Sequence, residues 1–224
     1  MSESIALNID CMEYMVTLPD NAFDLAIVDP PYGGNDAIGL KDCKTNGKQA
    51  TSRTEYKLFK NVAPNQEYFD ELKRVSKKQI IWGVNFYDVK GLTGGRIVWD
   101  KHGTAFGRAE EAYYSDSKSV EIFEYTWNGM LQGNMANKET RIHPTQKPVA
   151  LYEWLLTNYA KQGDRILDTH LGSGSSRIAA YNLGFDFVGC EIDKEYFNKQ
   201  EERFARHTAQ TSLFVEGFDE QSLF

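Results

Sequence analysis

The chain has 224 residues, of which 41% are hydrophobic and 25% charged, a composition typical of a globular protein with one domain. Its 25 Lys and Arg against 32 Asp and Glu give a formal charge of -7, which argues against a protein covered in positive charge, such as a histone-like packager. The three cysteines form no CxxC pair, so we expect neither a disulfide framework nor a thiolate zinc site, and no metal. We expect a soluble, cytoplasmic protein, because the chain shows no signal-peptide pattern and no run approaching the roughly 20 apolar residues of a membrane helix.

Strands and helices alternate along the chain, which predicts an α/β fold with a mostly parallel sheet and an antiparallel edge. The predicted strands are residues 5–9, 23–28, 79–84, 96–99, 110–114, 120–127, 165–168 and 187–192, with 110–114 and 120–127 pairing antiparallel at one edge of the sheet. The predicted helices run to about Leu18, from Asn65 through Val75, from Pro148 to near Gly163, from Ser175 to Leu183, and from Asp193 to about Arg206. Residues 1–206 would form the catalytic domain, with polar loops at 33–64 and 128–142, and residues 207–224 a tail.

The tetrapeptide Asp29-Pro30-Pro31-Tyr32 ends the apolar strand that begins at Phe23. Two prolines fix the backbone and remove N–H donors, which leaves the Asp29 carboxylate and a main-chain carbonyl as acceptors. These acceptors fit a planar amino group, and holding both of its hydrogens frees the nitrogen lone pair for attack in the transition state. Because the Tyr32 ring can stack on a heterocycle, the motif predicts chemistry at an exocyclic amine of a nucleobase. A rigid turn with a core tyrosine is the alternative interpretation.

A glycine-rich turn follows the strand that ends at Asp168. Gly172 and Gly174 let a ligand approach the backbone, and the helix that begins at Ser175 offers N–H groups at its N-terminus. Glu191 ends the next strand, where a carboxylate can accept from two ribose hydroxyls. The pattern therefore indicates a nucleoside site, and a tight strand–helix turn without a ligand is the alternative.

The segment His143-Pro-Thr-Gln-Lys-Pro148 precedes a predicted helix. Because proline disfavours helical backbone in the residue before it, we expect an extended chain up to Lys147. Lys147 can neutralise a ligand carboxylate, with Thr145 beside it. A plain helix entry with a solvated lysine is the alternative.

Together these stretches resemble the DNA amino-methyltransferases that use S-adenosylmethionine (AdoMet). Residues 29–32 match the catalytic DPPY motif of that family, residues 143–148 match its HPTQKP motif, and residues 168–174 resemble its AdoMet-binding DxFxGxG turn. The motif order is that of the β group of the family. Further resemblance lies in residues 8–13, 97–101 and 109–114, so it covers nearly all of residues 5–205.

The resemblance implies a Rossmann-like methyltransferase fold that is circularly permuted, with AdoMet as the cofactor. It implies AdoMet contacts from the catalytic motif and the glycine turn, and from Asp10, which would approach the cofactor adenine. His170 departs from the usual Phe but is also flat and can pack beside the cofactor. The implied cofactor-binding residues are Asp10, Asp29, Thr145, Lys147, Asp168, His170, Gly172, Gly174, Ser175 and Glu191.

Methyl transfer to a base in duplex DNA requires that the base be flipped out of the stack. In the resembling family, DPPY rather than SPPY favours N6 of adenine over N4 of cytosine. N4-cytosine or RNA methylation and a catalytically silent nucleic-acid-binding module stay open as alternatives. An NAD oxidoreductase is disfavoured because Arg177 stands where the dinucleotide fingerprint has a small residue.

Residues 41–60 carry six basic and two acidic side chains, a net charge of +4 directly after the catalytic motif. We expect this flexible loop to bind the phosphate backbone of DNA, although a solvated loop has the same composition. The predicted DNA contacts are Lys41, Lys44, Lys48, Arg53, Lys57 and Lys60.

The C-terminal segment holds two short peptides that resemble the QLSLF-type motif bound by bacterial sliding clamps, Gln210–Phe214 and Gln221–Phe224. They indicate a candidate tether to a sliding clamp, and folding back onto the protein's own surface is the alternative. Membership of the β group would imply a homodimer. Short loop 128–142 is the candidate recognition loop, and the expected setting is the nucleoid of a bacterial or phage-infected cell, with or without a restriction partner.

Overall fold

The computed structural model describes residues 2–34, 61–102, 107–127 and 131–219. The eight strands within these ranges are β1 Ser4–Leu7, β2 Phe23–Val28, β3 Ser76–Trp82, β4 Gly95–Asp100, β5 Ala109–Tyr114, β6 Val120–Glu124, β7 Arg165–Asp168 and β8 Asp186–Cys190. The five α-helices are α1 Cys11–Met15, α2 Gln66–Val75, α3 Val149–Tyr159, α4 Ser175–Leu183 and α5 Lys194–Asp219. No helix in the described part of the chain is long and apolar enough to cross a membrane.

The strands form one sheet in the order β1-β8-β7-β2-β3-β5-β4-β6. The first five strands in this order are parallel, so their carboxyl ends lie at one edge, which we call the carboxyl edge. Strand β5 runs antiparallel to both β3 and β4, and β6 pairs in parallel with β4. The predicted α/β fold with a mostly parallel sheet and an antiparallel portion is therefore confirmed.

The antiparallel pairing predicted between residues 110–114 and 120–127, which are β5 and β6, was wrong. Strand β6 does not pair with β5, because β4 lies between them and hydrogen-bonds to both. Sequence neighbours joined by a short connection favour a hairpin, but the apolar β4 takes the inner position. The polar β6 lies at the edge, where Val120 and Ile122 are exposed.

Two apolar layers cover the sheet, because residues of alternating parity in a strand point to opposite faces. On one face, Leu25 and Ile27 of β2 pack in a cluster with α3 and α4. On the other face, Ala26 and Val28 pack with α1 and α2. This double coverage explains why β2 is apolar apart from Asp24.

Three local predictions can be compared with the backbone. The Asn65 side chain accepts from the Tyr68 N–H and begins α2, as predicted. Residues 143–146 were predicted to be extended but form a turn, closed by the Gln146 N–H on the His143 carbonyl at 3.2 Å. Helix α5 was predicted to end near Arg206 and instead continues to Asp219.

Candidate active site

The DPPY motif lies at the carboxyl edge, at the end of the central strand β2. The hydroxyl of Tyr32 donates to Asp29 Oδ1 at 2.8 Å. The Pro30 carbonyl accepts from the Tyr87 hydroxyl at 2.8 Å. Carboxylate oxygens and carbonyls each accept two hydrogen bonds, so both groups keep capacity for the hydrogens of an amine.

Lys147 of the HPTQKP segment reaches the same motif. Its ammonium lies 2.6 Å from Asp29 Oδ2, 2.9 Å from Glu110 Oε2 and 3.1 Å from the Tyr32 hydroxyl. The side chain is only 3% exposed, and these three protein acceptors match its three N–H donors. The structure therefore brings Lys147 to the Asp29 carboxylate.

Lys101 extends this cluster on its far side. Its ammonium pairs with Glu110 Oε1 and stands 4.6 Å from the centre of the Trp99 ring. Charges then alternate along the series Lys101, Glu110, Lys147 and Asp29, two positive and two negative. We call these four residues the charge series.

The two carboxyl groups of the charge series titrate differently. Burial raises the pKa of Asp29, and Lys147 opposes that rise without cancelling it. Burial acts on Glu110 in the same direction, but Lys147 and Lys101 outweigh it and lower its pKa to about 2. The pKa of Lys147 is raised, because Asp29 and Glu110 overcome the effect of its burial. Asp29 is therefore the first of the two carboxyl groups to take up a proton as the pH falls.

The Tyr32 ring is held on several sides. Phe86 stacks on it with the ring centres 4.7 Å apart and the planes 8° apart. Gly83 adopts a φ of +73° beside the ring, and a Cβ there would overlap Tyr32. Burial, together with the charge of Asp29, raises the pKa of the Tyr32 hydroxyl well above its usual value, so it stays protonated and donates.

The glycine turn lies next to the DPPY motif, because β7 pairs in parallel with β2. Asp168 Oδ1 accepts from the His170 N–H at 2.9 Å, and Oδ2 accepts from the Ser176 hydroxyl at 2.5 Å. Gly172 and Gly174 have φ values of +52° and +73°, the left-handed region that glycine adopts without strain. Burial raises the pKa of Asp168 to about 7.

The remaining predicted cofactor contacts converge on this turn. Glu191, after β8, accepts from the Gly172 N–H at 2.8 Å. Asp10, after β1, caps α1 through the Met12 N–H, and its charge acts on the pKa of His170. Thr145 contacts His143, whose ring lies 3.8 Å from the position of a Cβ on Gly172.

These residues fit a nucleoside that carries a cationic group. No side chain caps the N-terminus of α4, which begins at Ser175 beside Gly174. Asp10, Asp168 and Glu191 supply carboxylates at neighbouring strand ends, and the apolar Ile192 next to Glu191 is exposed. When bound here, AdoMet would be held by the residues around the glycine turn.

Comparison with known proteins finds a family model and relatives that this chain resembles. Residues 98–202 match the family model N6_N4_Mtase, described as DNA methylase. The chain is also 23% identical over 231 residues to the type II methyltransferase M.HpaI of Haemophilus parainfluenzae, with 87% of this chain and 72% of that protein covered. The chain therefore resembles the DNA methylases of the N6/N4 family, whose model matches just under half of its residues.

Solved structures share the fold of this chain. The M1.HpyAVI–SAM complex superposes with a TM-score of 0.54 at 22% identity, covering 89% of this chain and 98% of that chain. PvuII DNA methyltransferase, named as cytosine-N4-specific, superposes with a TM-score of 0.58 at 13% identity, covering 91% of this chain and 87% of that chain.

Sequence reasoning missed the charge series beyond Asp29 and Lys147. Glu110 alternates with Ala112 and Tyr114, which are both buried, so the period of β5 puts a carboxylate on a covered face. That mismatch is the signal that would have found Glu110. Lys101, which follows β4, carries no comparable signal.

Two sets of predicted residues lie outside the part of the chain that the structure describes. The six predicted DNA contacts, from Lys41 to Lys60, fall within residues 35–60. The side chains of 211–214 and all of 221–224, which carry the clamp-like peptides, also lie outside it, although the backbone of 210–214 belongs to α5. The DNA contacts and the clamp tether stay predictions.

Proposed function

We propose that the chain transfers the methyl group of AdoMet to the N6 amine of an adenine flipped out of DNA. The observation that carries this proposal is the position of Asp29 at the end of β2, beside the glycine turn that follows β7. A substrate amine held by Asp29 and the Pro30 carbonyl would then lie next to a nucleoside cofactor at the same edge of the sheet.

When bound, AdoMet would supply the methyl carbon, and the new N–C bond would replace its C–S bond, whose electron pair stays on sulfur. Asp29 accepts one hydrogen of the amine and the Pro30 carbonyl accepts the other, which turns the nitrogen lone pair towards the methyl group. The nitrogen then gives up one hydrogen as a proton, for which the Asp29 carboxylate is an acceptor in contact. Tyr32, fixed by its hydroxyl, presents its ring to the base.

The experiment is methylation of unmodified DNA by the purified protein with AdoMet, followed by mapping of the modified bases. We expect N6-methyladenine within one short sequence context. Methylation of N4 of cytosine would shift the proposal to the second candidate, which the likeness to the PvuII enzyme supports. Transfer to RNA alone would replace DNA as the substrate. Binding of DNA with no transfer in any context would refute the proposed activity.

We also propose that the basic loop binds the DNA backbone. Each neutralised phosphate contact contributes about 0.9 to the slope of log affinity against log salt, so replacing Lys44, Lys48 and Arg53 by Gln should lower the slope by up to about 3. A matched control removes three positive charges at the opposite edge of the sheet, where exposed lysines lie at the amino ends of strands or before them. The control residues are Lys77, Lys118 and Lys161. An equal slope in both triple variants would contradict the loop's role.

A further inference from the structure

We propose that Glu110 is a positioning residue that holds Lys147 in place while the Asp29 carboxylate turns to the substrate amine. The inference rests on the proposed methyl transfer and assigns a role to a side chain outside the DPPY, HPTQKP and glycine motifs. It starts from the finding that one buried ammonium contacts two carboxylates, Asp29 at 2.6 Å and Glu110 at 2.9 Å.

The first step of the argument concerns the donors around Asp29. Both of its oxygens accept from the protein, Oδ1 from the Tyr32 hydroxyl and Oδ2 from Lys147. An amine that binds Asp29 shares Oδ2 with a fully charged donor. The pull of the ammonium on Asp29 is weaker if it has a second anionic partner, and Glu110 Oε2 is that partner.

The second step concerns the Tyr32 hydroxyl, which has one hydrogen and two acceptors in reach. Asp29 Oδ1 lies at 2.8 Å and Glu110 Oε2 at 3.2 Å. When the amine engages Asp29, the phenol can donate to Glu110 after a small rotation. Glu110 therefore offers an alternative partner to both protein donors that contact Asp29.

The third step concerns what keeps Glu110 itself in place. Lys101 binds its other oxygen, Oε1, and the Lys101 side chain is 11% exposed against the Trp99 ring. Glu110 is thus fixed from the side away from the DPPY motif. Every charge in the series has an opposite neighbour, which a buried charge requires.

The pH dependence of turnover separates this role from a merely structural one. The titratable groups that face Asp29 are Lys147, Glu110, Tyr32, Tyr87, Tyr152 and Asp168. Turnover needs an ionised Asp29, so the acid limb of the kcat profile follows its protonation. Glu110→Gln removes a nearby negative charge and leaves Lys147 to Asp29 alone, so the limb should move to lower pH. Lys101→Gln removes a positive charge from the same series, so the limb should move to higher pH.

The experiment measures kcat against pH, KM for DNA and Kd for AdoMet in the full chain. For Glu110→Gln we expect kcat to fall by about 10- to 100-fold, with KM and Kd changed by less than about threefold, because positioning rather than binding is lost. The matched control is Glu111→Gln on the same strand, whose carboxylate is 40% exposed and pairs with Arg96. It should leave kcat and the acid limb unchanged.

The outcomes are distinct. Opposite shifts of the limb in the Glu110 and Lys101 variants support the proposal, and shifts in one direction or none overturn it. If Glu110→Gln does not fold, the acid limb of the kcat profile of Lys101→Gln tests the proposal. An unshifted limb in that variant would contradict the role of the charge series. A wild-type chain without methyl transfer refutes the proposed function, whereas an active wild type with normal Glu110→Gln turnover refutes only the role of Glu110.

Discussion

The ammonium of Lys147 lies 2.6 Å from Asp29 Oδ2, although 118 residues separate the two in sequence. The contact joins the HPTQKP segment to the DPPY motif inside one buried cluster. The same segment approaches the glycine turn through His143, whose ring lies 3.8 Å from where a Cβ on Gly172 would stand. Residues 143–147 therefore span from the region around the candidate cofactor turn to the candidate catalytic carboxylate.

A first prediction concerns the role of Lys147, which was predicted from sequence to neutralise a ligand carboxylate. Because its ammonium contacts Asp29, we expect Lys147→Gln to affect kcat more than the Kd for AdoMet. Loss of the positive charge leaves the carboxylates of Asp29 and Glu110 facing each other. Asp29 should then take up its proton at higher pH, and the acid limb of the kcat profile should move to higher pH. Calorimetric titration with AdoMet and a kcat–pH profile measure the two effects. A large loss of AdoMet affinity with an unshifted limb would instead support the role predicted from sequence.

A second prediction concerns Asp29. We expect Asp29→Ala to lower methyl transfer by at least about 100-fold, because it removes the charged acceptor of the amine, while AdoMet still binds. The matched control is Asp24→Ala on the same strand, whose carboxylate pairs with the exposed Lys77 away from the DPPY motif. Radiolabelled methyl transfer and AdoMet titration compare the variants. Normal turnover by Asp29→Ala would refute the assignment of the DPPY motif as catalytic.

The sequence predicts the parallel part of the fold closely, because apolar strands, caps and glycine stops are local signals. The structure repeats the predicted bounds of β2, β7 and α4, and Gly184 ends α4 in the left-handed conformation as expected. The pairing of β6 with β4 depends on which strand gains most from burial, and local patterns do not encode that choice. The charge series was only partly readable: the period of β5 signals a covered Glu110, but Lys101 and Lys147 meet it only after the chain has folded.

A third prediction concerns Gly83, which packs against the Tyr32 ring. Alanine at this position is strained by about 1 kcal/mol because φ is +73°, and its Cβ would also overlap the Tyr32 ring. We therefore expect Gly83→Ala to lose both stability and methyl transfer. The control is Gly163→Ala, where φ is +93° but no heavy atom lies within 4 Å of the added Cβ. This control should lose about the same stability from strain and keep its turnover, as measured by urea unfolding and initial rates. Equal turnover in the two variants would contradict a role for close packing at Tyr32.

The last prediction concerns His170, the residue of the glycine turn that departs from the family pattern. Burial lowers the pKa of its imidazole to about 4, against an ordinary value of 6.5. Between these values the unfolded chain binds more protons than the folded chain, so the contribution of His170 to stability is complete above pH 6.5 and is lost as the pH falls towards 4. At pH 5 this contribution to the free energy of unfolding has fallen by about 2 kcal/mol, and a His170→Phe variant, which has no imidazole there, lacks that fall. Urea unfolding at pH 7.5 and pH 5 should therefore show a smaller drop in unfolding free energy for the variant. His143 also has a pKa lowered to about 4, but both proteins carry it, so its effect cancels in the comparison. An equal drop in the two proteins would show that the imidazole at position 170 is not held neutral by burial.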